Sequence, residues 1–227
     1  MTYVVAVDGG GTSTRSVVAD RSGRCLGFAK TGSGNPVSAG EAVAAAAFAA
    51  SLDAALTQAG VAAADVDCLL FSMAGSFTGA ASPALAERLR GLGFRVTPAI
   101  EGDLLGVFCS GAAELTGYTL EAGTGSGAVR VEDGRIARTA DGLGWLLGDE
   151  GSGFWFGHAV VRAACADLDR RGPATALTSL VLAEAGVTLD WSRAGEGRPA
   201  ALPALMGYVY DLRPVQLSRF ARLAFEA

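Results

Sequence analysis

The stretch Val5–Val18, VAVDGGGTSTRSVV, decides how the chain is read. An apolar run of β-branched residues ends in Asp8. Three glycines and Thr12 follow, and a second β-branched run begins at Thr14. Apolar runs of this length with a glycine-rich break predict two paired strands, Tyr3 to Val7 and Thr14 to Ala19. Glycines let a backbone approach an anion closely, and the amide N–H groups of a tight turn form an anion-binding nest. No Lys-Ser/Thr follows, and the loop leads into a strand, so neither a Walker A loop nor a dinucleotide fingerprint is present. An acid beside a phosphate loop makes sense with a cation between them, most naturally Mg²⁺. Asp8 with Gly9, Gly10, Gly11 and Thr12 therefore reads as a phosphate-plus-metal site. A plain Asp-Gly hairpin turn is the other reading.

Working outward, DRSGR (Asp20–Arg24) is a turn and Cys25 to Lys30 a third strand. Ser38 and Glu41 have capping-box spacing, which predicts a helix from about Gly40 to Ala59. Val66 to Met73 reads as a strand, SMAGSFTG as a loop, and Ser82-Pro83 as the start of a helix ending near Gly91. Phe94 to Ile100 is expected as a strand and Asp103 to Ala113 as a helix. The first pattern then returns about 115 residues later. A strand at Tyr118 to Glu121 is followed by the loop AGTGSG (Ala122–Gly127), a strand at Ala128 to Val131, an EDGR turn and a strand at Ile136 to Thr139. Gly123, Thr124, Gly125 and Ser126 thus form a second candidate phosphate loop. Two such lobes with their loops facing each other would make a cleft. Helices are expected at Phe154 to Arg170, Pro173 to Ala185, Leu202 to Leu212 and Pro214 to Glu226.

Composition narrows the chemistry. The 227 residues suit one large domain or two small ones, and 50% are hydrophobic, enough for a sizeable core. The net charge is −5, which disfavours nucleic-acid and membrane-surface partners. The alanine-rich run Ala42 to Leu52 is too short to span a bilayer, and no signal peptide is visible. A cytoplasmic protein is expected. The 4 cysteines are scattered without a CxxC pair, which points to reduced thiols used as core filler. With 1 histidine, acid–base work must fall mainly to carboxylates.

Three motifs together, DGGGTST, GTGSG and GLGWLLGDEGSGFWFG, resemble the N-acetylglucosamine kinase and BadF/BadG/BcrA/BcrD ATPase family, within the sugar kinase, Hsp70 and actin superfamily. The resemblance implies an α/β, two-lobed ribonuclease H-like (actin-like ATPase) fold, with the second lobe incomplete at the C-terminus. Residues 1–113 would form the first lobe and 114–227 the start of the second, with its helical region. It also implies ATP and Mg²⁺ as cofactors, an amino-sugar substrate and a homodimer. In such kinases the first loop and its Asp bind the β/γ-phosphates and Mg²⁺, the second loop contacts phosphate, and a catalytic Asp opens the helix between the repeats. Carried onto this sequence, Asp8 is the metal residue and Asp103, in IEGDLLGVF, the general base that orients the acceptor hydroxyl and takes its proton. A helix N-cap is the plainer role for Asp103. Asn35 in GSGNPV matches an asparagine that hydrogen-bonds the sugar; an ordinary turn asparagine before Pro36 is the other reading. Asp149 in GDEGSG is a candidate for sugar hydroxyls or, otherwise, a loop-structuring residue. Trp145, Phe154, Trp155 and Phe156 are expected to pack in a core, with stacking on the sugar as the other reading. Ser72 and Ser76 lie at a strand end where acceptor contact is open to them.

Family members continue past this point into a segment that holds adenosine, so the chain reads as the N-terminal portion of a longer kinase with weak nucleotide affinity by itself. The alternatives are an ATPase activator of a 2-hydroxyacyl-CoA dehydratase or benzoyl-CoA reductase, and an inactive or sugar-sensing fragment. The activators place cysteines close to the second lobe's loops, where this sequence has none.

Overall fold

The computed structural model describes residues 2–73 and 80–227, so residues 74–79 of the loop expected at SMAGSFTG, with Ser76, lie outside the described residues. Two compact units divide the chain: Met1–Thr119 with Val131–Ile136, and Leu120–Arg130 with Ala137–Ala227.

The first unit follows the alternation of its strands. In β1 (Tyr3–Gly9), Val5, Val7 and Gly9 are buried on one face, which puts Asp8 on the other. β2 (Thr14–Asp20) pairs antiparallel with β1, and β3 (Cys25–Thr31) antiparallel with β2. β4 (Val66–Met73) lies parallel to β1, and β5 (Ala99–Gly102) parallel to β4. The order is β3-β2-β1-β4-β5, the ribonuclease H-like arrangement. Phe94 to Pro98 does not join the strand. Gly93 caps the preceding helix in the left-handed region, and Pro98 has no N–H for a ladder, so pairing starts at Ala99.

A one-turn helix, α1 (Pro36–Ala39), precedes α2 (Glu41–Ala59). The capping box does not form: Gly40, at φ 88°, is the N-cap and α2 has no side-chain cap. α2 continues the alanine run to 19 residues, which meets the length and apolarity of a membrane span. Its Phe48, Leu52, Ala55 and Leu56 are buried in the core with Val5, Val7, Leu69 and Phe71. Phe48 meets Phe71 edge-on at 5.3 Å. α3 (Pro83–Leu92) begins as its sequence predicts, with Ser82 Oγ accepting from Leu85 N at 3.2 Å. α4 (Asp103–Gly111) follows β5 directly.

The second pattern is also met: β6 (Gly117–Ala122), β7 (Ser126–Glu132) and β8 (Arg135–Asp141) form a three-stranded sheet in that order. In the second unit, α5 (Gly153–Leu168), α6 (Leu177–Ala185) and α7 (Ala201–Tyr210) enclose a core of Phe154, Val160, Leu168, Leu182, Leu205 and Phe220. The final segment, Pro214–Phe225, is 3-10 rather than α. It packs so tightly on α5 that a Cβ at Gly157 would collide with the Leu217 carbonyl.

Two packing expectations fail. Trp145 and Trp155 are 42% and 45% exposed, so of the expected aromatic group only Phe154, at 6%, is fully in the core. Trp145 instead lies edge-on against Phe154 at 5.6 Å. Cys25, Cys68 and Cys109 are exposed free thiols rather than core filler, because they sit on solvent-facing positions of strands and helix. Cys165 is half-buried, and burial pushes its thiol up.

Candidate active site

In the first unit, the turn after β1 closes on itself: Gly10 N donates to Ser13 O at 3.0 Å. Gly11 and Thr12 stand exposed at its tip, while Ser13 and Gly9 are buried at its base. A Cβ at Gly9 would lie 2.7 Å from the Phe48 ring, so only glycine lets the loop descend onto the core there. The chain at Gly34 comes alongside, with Gly34 N donating to Gly10 O at 3.1 Å. A Cβ at Gly34 would lie 2.5 Å from Thr14 Oγ1 and 2.7 Å from Phe48. Asn35, half-buried, follows. Its Oδ1 accepts from Val37 N at 2.8 Å, which starts α1.

Asp8 and Asp103 both lie at the carboxyl ends of parallel strands, the edge where α/β sheets place ligands. Asp8 is opposite Ser72 in β4, and Ser72 opposite Glu101 in β5, two residues before Asp103. Asp103 is half-buried in the first turn of α4, and its Oδ1 accepts from Leu104 N at 3.0 Å. Burial pushes its carboxyl above the ordinary 3.8, and the charge of Asp8 adds to the rise against two backbone hydrogen bonds that lower it. Ser72 Oγ donates to the Asp103 carbonyl at 3.5 Å, and a Cβ at Gly106 would collide with that hydroxyl. Asp8 is half-exposed and paired with Arg15, Nη1 to Oδ2 at 2.6 Å. Arg15 was not singled out from the sequence, although a hairpin closing on DGGGTST makes it the cross-strand partner of Asp8.

In the second unit the loop of Gly123, Thr124, Gly125 and Ser126 lies on the N-terminus of α5. Gly153 N donates to Gly123 O at 2.8 Å and Phe154 N to Thr124 O at 3.1 Å. Ser152 caps the helix, its Oγ accepting from Trp155 N at 3.1 Å. Asp149 is 9% exposed and lies beneath the loop: its Oδ1 accepts from Ser126 N at 3.2 Å, and a Cβ at Gly125 would come within 3.0 Å of both carboxylate oxygens. Ser126 Oγ donates to the Glu150 carbonyl at 2.7 Å. Asp141, at φ 61°, gathers the amides that follow it. The sequence did not mark it, because its bonds reach residues 8 and 9 positions ahead. The lone histidine, His158, stacks on Phe154 at 5.4 Å; burial pulls its pKa down, and Arg162 adds to the effect.

The first unit thus gathers Asp8, the loop of residues 9–12, Asn35 and Asp103; the second gathers residues 123–126 with Asp149. The chain is similar to the N-acetylmuramic acid/N-acetylglucosamine kinase of Clostridium acetobutylicum, 26% identical over 183 residues, covering 80% of this chain and 60% of that one. It is also similar to the N-acetyl-D-glucosamine kinase of Dictyostelium discoideum, 27% identical over 134 residues, which are 59% of this chain and 38% of that one. The chain therefore spans less than two thirds of the length of either curated relative. Among solved structures, one from Chromobacterium violaceum, provisionally assigned as an N-acetylglucosamine kinase, superposes with a TM-score of 0.78 at 28% identity, covering 99% of this chain and 74% of the other. The model of one family matches residues 5–205, and on that extent the chain belongs to the BadF/BadG/BcrA/BcrD ATPase family.

Proposed function

We propose that the protein is an ATP-dependent kinase that phosphorylates a hydroxyl of an amino sugar, N-acetylglucosamine or glucosamine, with Asp103 as general base. The observation that carries this reading is the pair of carboxylates, Asp8 and the half-buried Asp103, at the carboxyl edge of one sheet beside an exposed glycine turn. A base whose pKa is raised toward the operating pH takes a hydroxyl proton more readily. Asp103, fixed by its helix start and its bond to Leu104 N, orients the acceptor hydroxyl and receives its proton as the oxygen attacks the γ-phosphorus. At the tips of the two loops, Gly11 and Thr12 in the first and Thr124 and Gly125 in the second are the backbone N–H groups for phosphate oxygens. Asn35, beside the first turn, is the acceptor-side hydrogen-bonding residue.

Mg²⁺ binds through one or two carboxylates together with substrate phosphates. The half-exposed Asp8 beside the first turn fits that requirement, and among the described residues no group of three or more metal-ligating side chains offers another cage. When bound, the ion neutralises charge on the phosphates; Asp8 would hold it. Asp149, expected at the sugar, is read as support for the second loop, the other role its sequence allowed. A homodimer belongs to the same reading.

Coupled ADP release with ATP and Mg²⁺ over N-acetylglucosamine, glucosamine, N-acetylmuramic acid, glucose and N-acetylmannosamine tests the proposal. Release that depends on an amino sugar is the expected result. ADP release that no sugar stimulates, from folded protein, contradicts it.

A further inference from the structure

We propose that Asp141 is a positioning residue for the second glycine loop, holding residues 123–126 in place through Asp149 and Glu150. The inference rests on the phosphate-binding reading of that loop. Asp141 closes β8 and turns into the left-handed region at φ 61°, which aims its carboxylate back over the segment that follows. Oδ1 accepts from Asp149 N at 2.8 Å and Oδ2 from Glu150 N at 2.9 Å, so both oxygens are engaged by backbone donors. Leu143 N lies at 3.5 Å from Oδ1. The Asp149 amide bond is the largest of the influences that hold the Asp141 carboxyl below its ordinary range.

Both residues it holds touch the loop at Ser126. Asp149, itself at φ 58°, uses Oδ1 to accept from Ser126 N at 3.2 Å. Glu150 uses its carbonyl to accept from Ser126 Oγ at 2.7 Å. The strand end is tied to the same place, since Gly142 N donates to Ser126 O at 3.0 Å. Asp141 therefore sets where the backbone of residues 149 and 150 lies, and that backbone sets where Ser126 lies. Hydrogen bonds to an ionised acceptor are stronger than neutral ones, and a carboxylate can accept at both oxygens where an amide cannot. Gly148 completes the device: a Cβ there would collide with Asp141 Oδ1, so glycine is required for the carboxylate to reach its two amides.

Two variants separate positioning from bulk stability. Asp141→Asn keeps size but turns an NH₂ donor toward one of the two amides. Gly148→Ala keeps the charge and displaces the carboxylate. Hydrogen–deuterium exchange of the full chain is read on peptides covering residues 122–127, with residues 160–168 of α5 and residues 8–13 as references. Both variants are expected to raise exchange at 122–127 on the order of tenfold while the references hold. The steady-state arm expects KM for ATP to rise about as much, with kcat and the sugar KM nearly unchanged. Exchange at 122–127 equal to the wild type, or raised equally across α5, overturns the proposal. Absence of sugar phosphorylation by the wild type would sink the kinase reading instead, and the exchange data would still decide the role of Asp141.

Discussion

The two glycine loops are alike in sequence position and unlike in support. Each joins strands of a meander, between β1 and β2 in one unit and β6 and β7 in the other. The first rests on apolar packing: Gly9 and Gly34 press on Phe48, and the turn closes with its own Gly10 N to Ser13 O bond. The second is held from outside by polar groups: Asp149 under Ser126, Asp141 behind Asp149, and two amides of the α5 N-terminus on its carbonyls. A shared local pattern can thus be fixed by a hydrophobic core or by a hydrogen-bond network, and the two respond to different perturbations.

The largest expected effect breaks the first support alone. Phe48→Ala removes the buried ring under Gly9 and Gly34 and should cost about 3–5 kcal/mol in the first unit. Exchange at residues 8–13 should rise steeply while residues 122–127 keep their protection; equal loss in both loops would break the comparison. Asp149→Ala attacks the second support. It leaves the Ser126 amide without its acceptor and should cost about 1–3 kcal/mol, read by urea titration with a second-unit probe such as Trp155 fluorescence.

The smallest effect is in the pH response, where the two units have opposite signs. Asp103 has a raised pKa in the fold, so its ionised form carries a stability penalty that fades as pH falls through that folded value toward 3.8. Asp141 has a lowered pKa, so its contribution is present above 3.8 and is lost as pH falls through the folded value below it. Asp103→Asn should therefore melt at or above the wild type at pH 7, and that difference should shrink on acidification toward 3.8. Asp141→Asn should melt lower, with its deficit shrinking only below 3.8. Differences from the wild type that change together over one pH range in the two variants would contradict the assignment.

Much of the fold was legible because its signals are local. Val5 and Val7 alternate, the glycine turn separates strands of matched length, and Ser82-Pro83 carries its own cap. The repeat gave the second meander for the same reason. Errors came where a distant or unfavourable backbone condition decides. Phe94 and Val96 alternate like a strand, but Gly93 and Pro98 keep them out of the ladder. Ser38 and Glu41 have capping spacing, but Gly40 at positive φ takes the cap position. Asp8 falls at a strand end and Asp103 at a helix start, as expected from the sequence, because strand ends and helix starts are written locally. Asp141 escaped notice because a carboxylate collecting amides 8 and 9 residues on leaves no periodic trace. The sequence left Asp149 open between sugar contact and loop structuring, and its position under Ser126 and Gly125 is set by a contact 23 residues away in the chain.

The most direct test of the central claim is sugar-dependent ADP release at saturating MgATP, comparing the wild type with Asp103→Asn. The account predicts sugar-stimulated turnover in the wild type and a loss of about 10²–10⁴ in kcat in the variant, with thermal stability kept or raised. Turnover in the variant within a few-fold of the wild type would show that Asp103 is not the base.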